Sequence, residues 1–225
     1  MPAQKKPAHS DAKTRGLRDK ASNGKIGYIY IPDMGPEGLN EFSRYFYPQL
    51  DKEGLIIDDR ANGGGNVSPM ILERLSREPY RLTMRRGSAR IGTVPDAVQV
   101  GPKVCLINKY SASDGDLFPW GFRALGLGKL IGTRTWGGIV GISGSLPYMD
   151  GTDIRVPFFT SFDPKTGSWI IENHGVDPDI LIDNDPVKEW NGEDQQLDRA
   201  IQEVMKELQN RKPLPGVPTP RDFSK

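Results

Sequence analysis

The chain has one cysteine in 225 residues, Cys105. A lone thiol closes no internal disulfide, so packing rather than covalent staples must hold the fold. Cys105 stands in the apolar run Val104-Cys-Leu-Ile107 and reads as a small buried apolar residue. Histidine is nearly as scarce, with only His9 and His174. No cluster has metal-ligand spacing, so neither a metal nor another cofactor is expected. An excess of charge of one sign is missing too, since 30 basic and 29 acidic residues leave a formal net charge of +1. That balance argues against a nucleic-acid partner, or an acidic membrane, held by bulk electrostatics. No run of 18 apolar residues occurs, so no transmembrane helix is expected. The opening Met1-Pro-Ala-Gln-Lys-Lys-Pro7 has no apolar stretch behind its charges. It does not read as a secretory signal and points to the cytoplasm.

What is present suffices for one large domain or two small ones. Hydrophobic residues make up 36% of the chain, and mean hydropathy is -0.53, so a core can be buried in a soluble protein. Residues 1–24 are rich in Lys, Ala and Ser without periodicity and read as a disordered lead-in or linker remnant. The fold is expected over residues 25–211, followed by a Pro-rich tail over 212–225. Lys25–Ile31 is a strand dense in Ile and Tyr. A helix follows from Gly35-Pro36, with Leu39, Phe42, Phe46 and Leu50 at helical spacing. Gly54-Leu-Ile-Ile-Asp-Asp59 is a continuous apolar strand of the kind buried on both faces of a parallel sheet. Three glycines, Gly63–Gly65, follow it, and Ser68-Pro69 reads as a cap and first residue of the next helix. Residues 77–101 read as a strand-and-loop excursion with Arg85 and Arg86 on a solvated surface. Trp136, in the second Gly-rich loop Thr133–Gly138, reads as a packing residue.

Residues 142–172 show alternation and turns typical of antiparallel strands: 144–148, 152–156, 157–160 and 168–171. Glu172, at the end of the last, reads by pattern as a surface charge. Asp194 is placed to cap a final helix whose stripe is Leu197, Ala200, Ile201, Val204, Met205 and Leu208. Strand–helix alternation with Gly-rich loops at strand ends gives an α/β fold with a C-terminal antiparallel hairpin region and a final amphipathic helix.

The stretch Asn108-Lys-Tyr-Ser-Ala-Ser-Asp-Gly-Asp116 joins the Cys105 strand to a helix. A sharp strand-to-helix turn exposes its residue and aims unpaired backbone N–H groups there. A hydroxyl at that point is placed as a nucleophile, with donors for an oxyanion. Ser113 is the candidate, with the N–H of Asp114 as one donor. The simpler alternative is that Ser111, Ser113 and Asp114 cap the helix.

Four motifs occur in order: Asp58-Asp-Arg-Ala-Asn-Gly-Gly-Gly65, Tyr110-Ser-Ala-Ser-Asp-Gly-Asp116, Gly132-Thr-Arg-Thr-Trp-Gly-Gly138 and Glu172-Asn-His-Gly-Val-Asp-Pro-Asp179. Together, over about residues 25–210, they resemble the catalytic core of tricorn-type serine peptidases, which belong with the carboxyl-terminal (tail-specific) processing peptidases. The resemblance implies a ClpP/crotonase-like ββα core and hydrolysis of peptides or unfolded proteins. It implies Ser113 as nucleophile, and Asp114 with Gly64 or Gly65 as oxyanion-hole donors. Glu172 is then the acid that supports the catalytic His through a Ser. Relatives with a Ser-Lys dyad carry Lys where this chain has Gly138, so the tricorn type is implied. In that type the base His lies in an upstream helical subdomain, ahead of a PDZ-like domain. Neither His9 nor His174 matches it, so the base is expected from upstream sequence or a separate polypeptide. The Asp behind the family's preference for basic residues falls near Leu82. Relatives form hexamers, which implies a homo-oligomer here. The rival readings are a catalytically incomplete peptide-binding or assembly module, and an acyl-CoA-handling crotonase relative.

Overall fold

The computed structural model describes residues 22–88 and 91–219. Most of the lead-in, including His9, lies outside the described residues. So does the tail beyond residue 219.

Five parallel strands form the central sheet in the order β1-β2-β5-β6-β9: β1 Ile26–Tyr30, β2 Gly54–Asp58, β5 Lys103–Ile107, β6 Gly128–Gly132 and β9 Ile180–Leu181. Each of the central strands β2 and β5 is buried at every residue. Their continuous apolar runs follow from helices covering both sheet faces. Alternate residues serve the two sides. Leu55, Ile57, Cys105 and Ile107 pack with Phe42 and Phe46 of α1 (Pro36–Phe46), Ile71 and Leu75 of α2 (Ser68–Leu75), and Phe118 and Phe122 of α3 (Asp114–Ala124). Ile56, Val104 and Leu106 pack on the opposite face with Leu197, Ala200, Ile201 and Val204 of a long C-terminal helix, Gln195–Asn210. The Asp194 carboxylate caps that helix by accepting the Leu197 N–H at 3.0 Å.

Two hairpins stand apart from the sheet. β3 (Arg81–Met84) pairs antiparallel with β4 (Ile91–Val94), and β7 (Gly141–Pro147) with β8 (Asp153–Phe159). The two strands expected at 152–156 and 157–160 are one, because Pro157 sits within β8 at the edge of a two-stranded ribbon, where proline is tolerated. The expected strand at 168–171 is reduced to a single bridge between Trp169 and Phe162. Beyond β9, a short helix α4 (Pro186–Trp190) precedes the long one, α5. Residues 212–219 carry no regular structure and are exposed. No helix among the described residues is long and apolar enough to cross a membrane.

Candidate active site

All three loops singled out in the sequence leave the same end of the sheet, after the C-terminal ends of β2, β5 and β6. Open α/β sheets place their sites at that end.

The turn after β5 is the centre of the arrangement. Ser113 has φ 58° and ψ −121° and immediately precedes α3. A non-glycine residue in such a conformation costs about 1–3 kcal/mol and persists only where its surroundings impose it. Here the surroundings are specific. Ser111 is buried, and its hydroxyl donates to the Asp59 carbonyl at 2.8 Å. The Ala112 N–H donates to the Asn62 carbonyl at 2.9 Å. Ser113 itself is exposed, and its hydroxyl makes no hydrogen bond to any described residue. It occupies the N-cap position without capping the helix. The side chain of Asp114 does not cap α3 either. It accepts the Ser68 hydroxyl at 2.5 Å and the Ser68 N–H at 3.0 Å. Ser68 therefore binds Asp114 rather than capping α2, whose N-cap position is Val67.

The Gly-rich loop after β2 lies against this turn. A Cβ on Gly64 would sit 2.6 Å from the Ser113 Cβ and 3.0 Å from the Asp114 nitrogen, and Gly64 has φ +91°. Only glycine fits there. The structure separates the two glycine candidates. The Gly64 N–H is taken by the Asn62 side chain at 2.9 Å. Gly65 forms a parallel bridge with Met34, in which the Gly64 carbonyl and the Asn66 N–H do the bonding. The N–H of Gly65 faces away from Met34 and has no acceptor among the described residues. The Asp114 N–H is likewise unpaired. Asn62, fully buried, holds this junction together: its amide also donates to the Ile31 carbonyl at 3.1 Å.

Glu172 is half-buried, which corrects the surface-charge reading. Its Oε2 accepts the N–H groups of Ile139 at 2.7 Å and Val140 at 2.9 Å. It lines an open groove of about 630 Å³ with Phe158, Phe159 and Trp169. Trp136 is also corrected. It is 65% exposed, because its ring lies over Gly138, where an added Cβ would come within 2.2 Å of it. A side chain at 138 has no room while Trp136 keeps that place.

His174 is half-exposed and its Nε2 pairs with Asp177 at 2.8 Å, while Arg134 holds the other Asp177 oxygen at 2.6 Å. This histidine is committed to Asp177. Leu82 lies on β3 in an apolar groove with Met84, Ile91 and Pro215–Pro218, whose lining includes no residue of the Ser113 turn.

Four aspartates surround the base of the site, and their charges are unequal. Arg60 is 2% exposed and forks onto Asp58 at 2.6 and 2.9 Å, then onto Asp194 at 2.9 Å twice. The carboxylate of Asp58 also accepts the Tyr28 hydroxyl at 2.6 Å. Asp59 is fully buried with neither oxygen partnered among the described residues. Burial, then repulsion from Asp58 and Asp116, pushes its pKa well above the carboxylate range. Burial raises Asp116 as well. Both shifts favour the uncharged acid, which keeps negative charge from accumulating beneath a site suited to an oxyanion.

The sequence singles out Ser113, Asp114, Gly64 or Gly65, and Glu172, and three loops come together around them in the structure. Sequence reasoning missed the parts played by Asn62, Ser68 and Asp116: the Asn62 carbonyl and the side chains of Ser68 and Asp116 link neighbouring loops, while the Asn62 side chain braces its own loop against Ile31. Asn before a glycine and Ser before a proline look like ordinary turn and cap residues, so only their burial sets them apart.

The comparisons with known proteins agree with this fold. The tricorn protease of Thermoplasma volcanium is 44% identical over 203 residues, covering 89% of this chain and 19% of that protein. Tricorn protease homolog 1 of Streptomyces coelicolor is 37% identical over 190 residues, 84% of this chain and 18% of that protein. The chain thus spans about a fifth of the length of these relatives. The crystal structure of tricorn protease superposes with a TM-score of 0.82 at 43% identity, over 88% of this chain and 19% of that one. The photosystem II D1 C-terminal processing protease shares the fold, with a TM-score of 0.53 at 22% identity over 70% of this chain and 42% of that one. Residues 25–182, which run from β1 through β9 and contain every loop of the site, match the model of peptidase family S41, and the chain belongs to that family.

Proposed function

We propose that this chain is the core of a tricorn-like serine peptidase that cleaves peptides or unfolded proteins by acyl transfer. The observation that carries the reading is the state of Ser113. It is an exposed hydroxyl in a strained strand-to-helix turn, beside the Asp114 and Gly65 N–H groups, and none of the three has a hydrogen-bond partner among the described residues. Strain of this kind positions a nucleophile above a sheet, as in the nucleophile elbow of unrelated hydrolases.

In the proposed reaction the Ser113 oxygen attacks the scissile carbonyl carbon while a histidine takes its proton. The carbonyl oxygen becomes an oxyanion held by the Asp114 and Gly65 N–H groups, at the positive end of α3. Collapse expels the amine, which the same histidine protonates, and water then releases the acyl group by the reverse sequence. Among the described residues no base reaches Ser113. The histidine therefore comes from a polypeptide segment docked beside Glu172, as the resemblance to tricorn-type enzymes implies. Glu172 keeps one carboxylate oxygen for that partner, since Oε2 alone carries the two backbone bonds. A homo-oligomer and a cytoplasmic location belong to the same reading.

The test is hydrolysis of a fluorogenic peptide library by the chain, with and without the helical and PDZ-like segments of a tricorn relative added in trans. Activity that appears on addition and vanishes in Ser113→Ala is the expected result. Binding of peptides without turnover in every combination would favour the rival reading of a peptide-binding module.

A further inference from the structure

We propose that Asp116 is a positioning residue that sets the spacing between Ser113 and Glu172 by holding the second Gly-rich loop to the nucleophile's helix. The inference rests on the reading of Ser113 and Glu172 given above.

Asp116 lies in the first turn of α3, where its N–H donates to the Ser113 carbonyl at 2.9 Å. Acids are common in first turns because they satisfy the helix dipole. This one is fully buried and turns across to the neighbouring loop, where its Oδ1 accepts the Gly137 N–H at 2.8 Å. Gly137 is sandwiched. It has φ +88°, and a Cβ there would meet the Gly175 nitrogen at 2.3 Å and the His174 backbone at 2.7 Å. The Gly137 carbonyl accepts the Asn173 N–H at 2.7 Å, one residue beyond Glu172. Two residues after Gly137, the loop turns its N–H groups the other way. Those of Ile139 and Val140 both donate to Glu172 Oε2. A second tie comes from Trp136, whose N–H donates to the Ser111 carbonyl at 3.0 Å.

The loop is thus a short rigid spacer. Asp116 fixes one end of it to the helix that carries Ser113. Glu172 is fixed to the other end. Of the two Asp116 oxygens, only Oδ1 has a partner. Oδ2 is buried with none among the described residues. An asparagine keeps the acceptor at Oδ1, whereas alanine deletes it.

The experiment uses the whole 225-residue chain. Asp116→Ala and Asp116→Asn are compared with wild type by ¹⁵N–¹H NMR, by hydrogen exchange, by the ¹³C shift of the Glu172 carboxyl, and by the rate at which a fluorophosphonate labels Ser113. In Asp116→Ala the Gly137 amide should exchange about tenfold faster, the scale of one lost buried hydrogen bond. The Ile139 and Val140 amides and the Glu172 carboxyl should shift, and Ser113 labelling should slow by a similar factor. Asp116→Asn should restore all four to near wild type. A merely structural role would lower the melting temperature yet leave the Glu172 carboxyl and the Ile139 amide unmoved in the folded variant, and that result overturns the proposal. So does an asparagine variant as impaired as the alanine one at equal stability. Should Asp116→Ala not fold, Asp116→Ser, too short to reach Gly137, carries the same readouts. Wild type that never labels would sink the reading of Ser113, while the NMR arm still decides whether Asp116 governs the loop.

Discussion

Replacing Arg60 with methionine should be among the most damaging single changes in this chain that leave the site's loops chemically intact. Arg60 sits three residues before Gly63, and its guanidinium is the sole cation paired with Asp58 among the described residues. Arg60 and Asp58 side chains are 3% and 0% exposed. Five side-chain bonds of 2.6–3.0 Å tie the guanidinium to Asp58, Asp194 and Gln196. They join the end of β2 to the start of α5. Removing one partner of a buried pair strands the other charge and costs about 3–5 kcal/mol. Among the described residues, Asp58 would retain only the Tyr28 hydroxyl and the residue-60 backbone N–H. Domains are stable by about 5–15 kcal/mol, so the loss is a large fraction of the total. At about 2–4 °C per kcal/mol for a chain of this size, the melting temperature should fall by roughly 6–20 °C. Urea denaturation followed by far-ultraviolet circular dichroism measures the free-energy loss, and a thermal melt the fall in melting temperature. Arg60→Lys should fall between, because an ammonium cannot fork onto two carboxylates. Asp58→Leu combined with Arg60→Met should recover part of the loss, since the fully buried Asp58 charge goes with its partner, while Asp194 loses its cation but keeps the Leu197 N–H and the Asn184 amide. A single-variant loss below about 1 kcal/mol would refute the claim that this pair anchors the sheet end.

Two further changes probe the site itself. Gly64→Ala must place a Cβ 2.6 Å from the Ser113 Cβ at φ +91°. It should cost about 2–5 kcal/mol in urea denaturation, adding left-handed strain to overpacking, while Gly63→Ala, with nothing within 4 Å, should be nearly neutral. Asp59→Asn should stabilise the protein at pH 8. Burial raises the folded pKa of Asp59, so its contribution is fully present below the unfolded carboxyl's pKa and is lost as pH rises toward the folded one. Asparagine cannot ionise, so the gain in melting temperature should vanish near pH 4, and equal melting at both pH values would show that Asp59 is not held neutral.

Much of this fold was legible because its signals are redundant. The continuous apolar runs of β2 and β5 needed two covered faces. The stripe from Leu197 to Leu208 supplied one cover, and the Phe42 and Phe46 spacing part of the other. The hairpin at 141–159 was seen, but its strands were divided at Pro157, since a proline reads as a break until the strand is known to be an edge. β9 was missed because a two-residue pairing leaves no periodicity. At the site, Ser113 and the glycines stood out by residue type and spacing. What stayed hidden was partly long-range: that Ser68 serves Asp114 rather than α2, and that Asp116 reaches across to Gly137, depend on which loop lies next to which, and that is set by the sheet order. That Asn62 takes the Gly64 N–H and that Trp136 lies over Gly138 are contacts within one loop, hidden because residue type does not fix a loop's backbone path.

The central claim is that the fold alone presents Ser113 as a nucleophile with a formed oxyanion hole. Its most direct test is labelling of the folded chain with a fluorophosphonate, read by intact mass and peptide mapping. An oxyanion hole accelerates acyl transfer by a factor on the order of 10³ even without its base. The expected result is a single adduct on Ser113, formed far faster than in the urea-denatured chain and absent from Ser113→Ala. Labelling no faster than in the denatured chain, or spread over other serines, would contradict it.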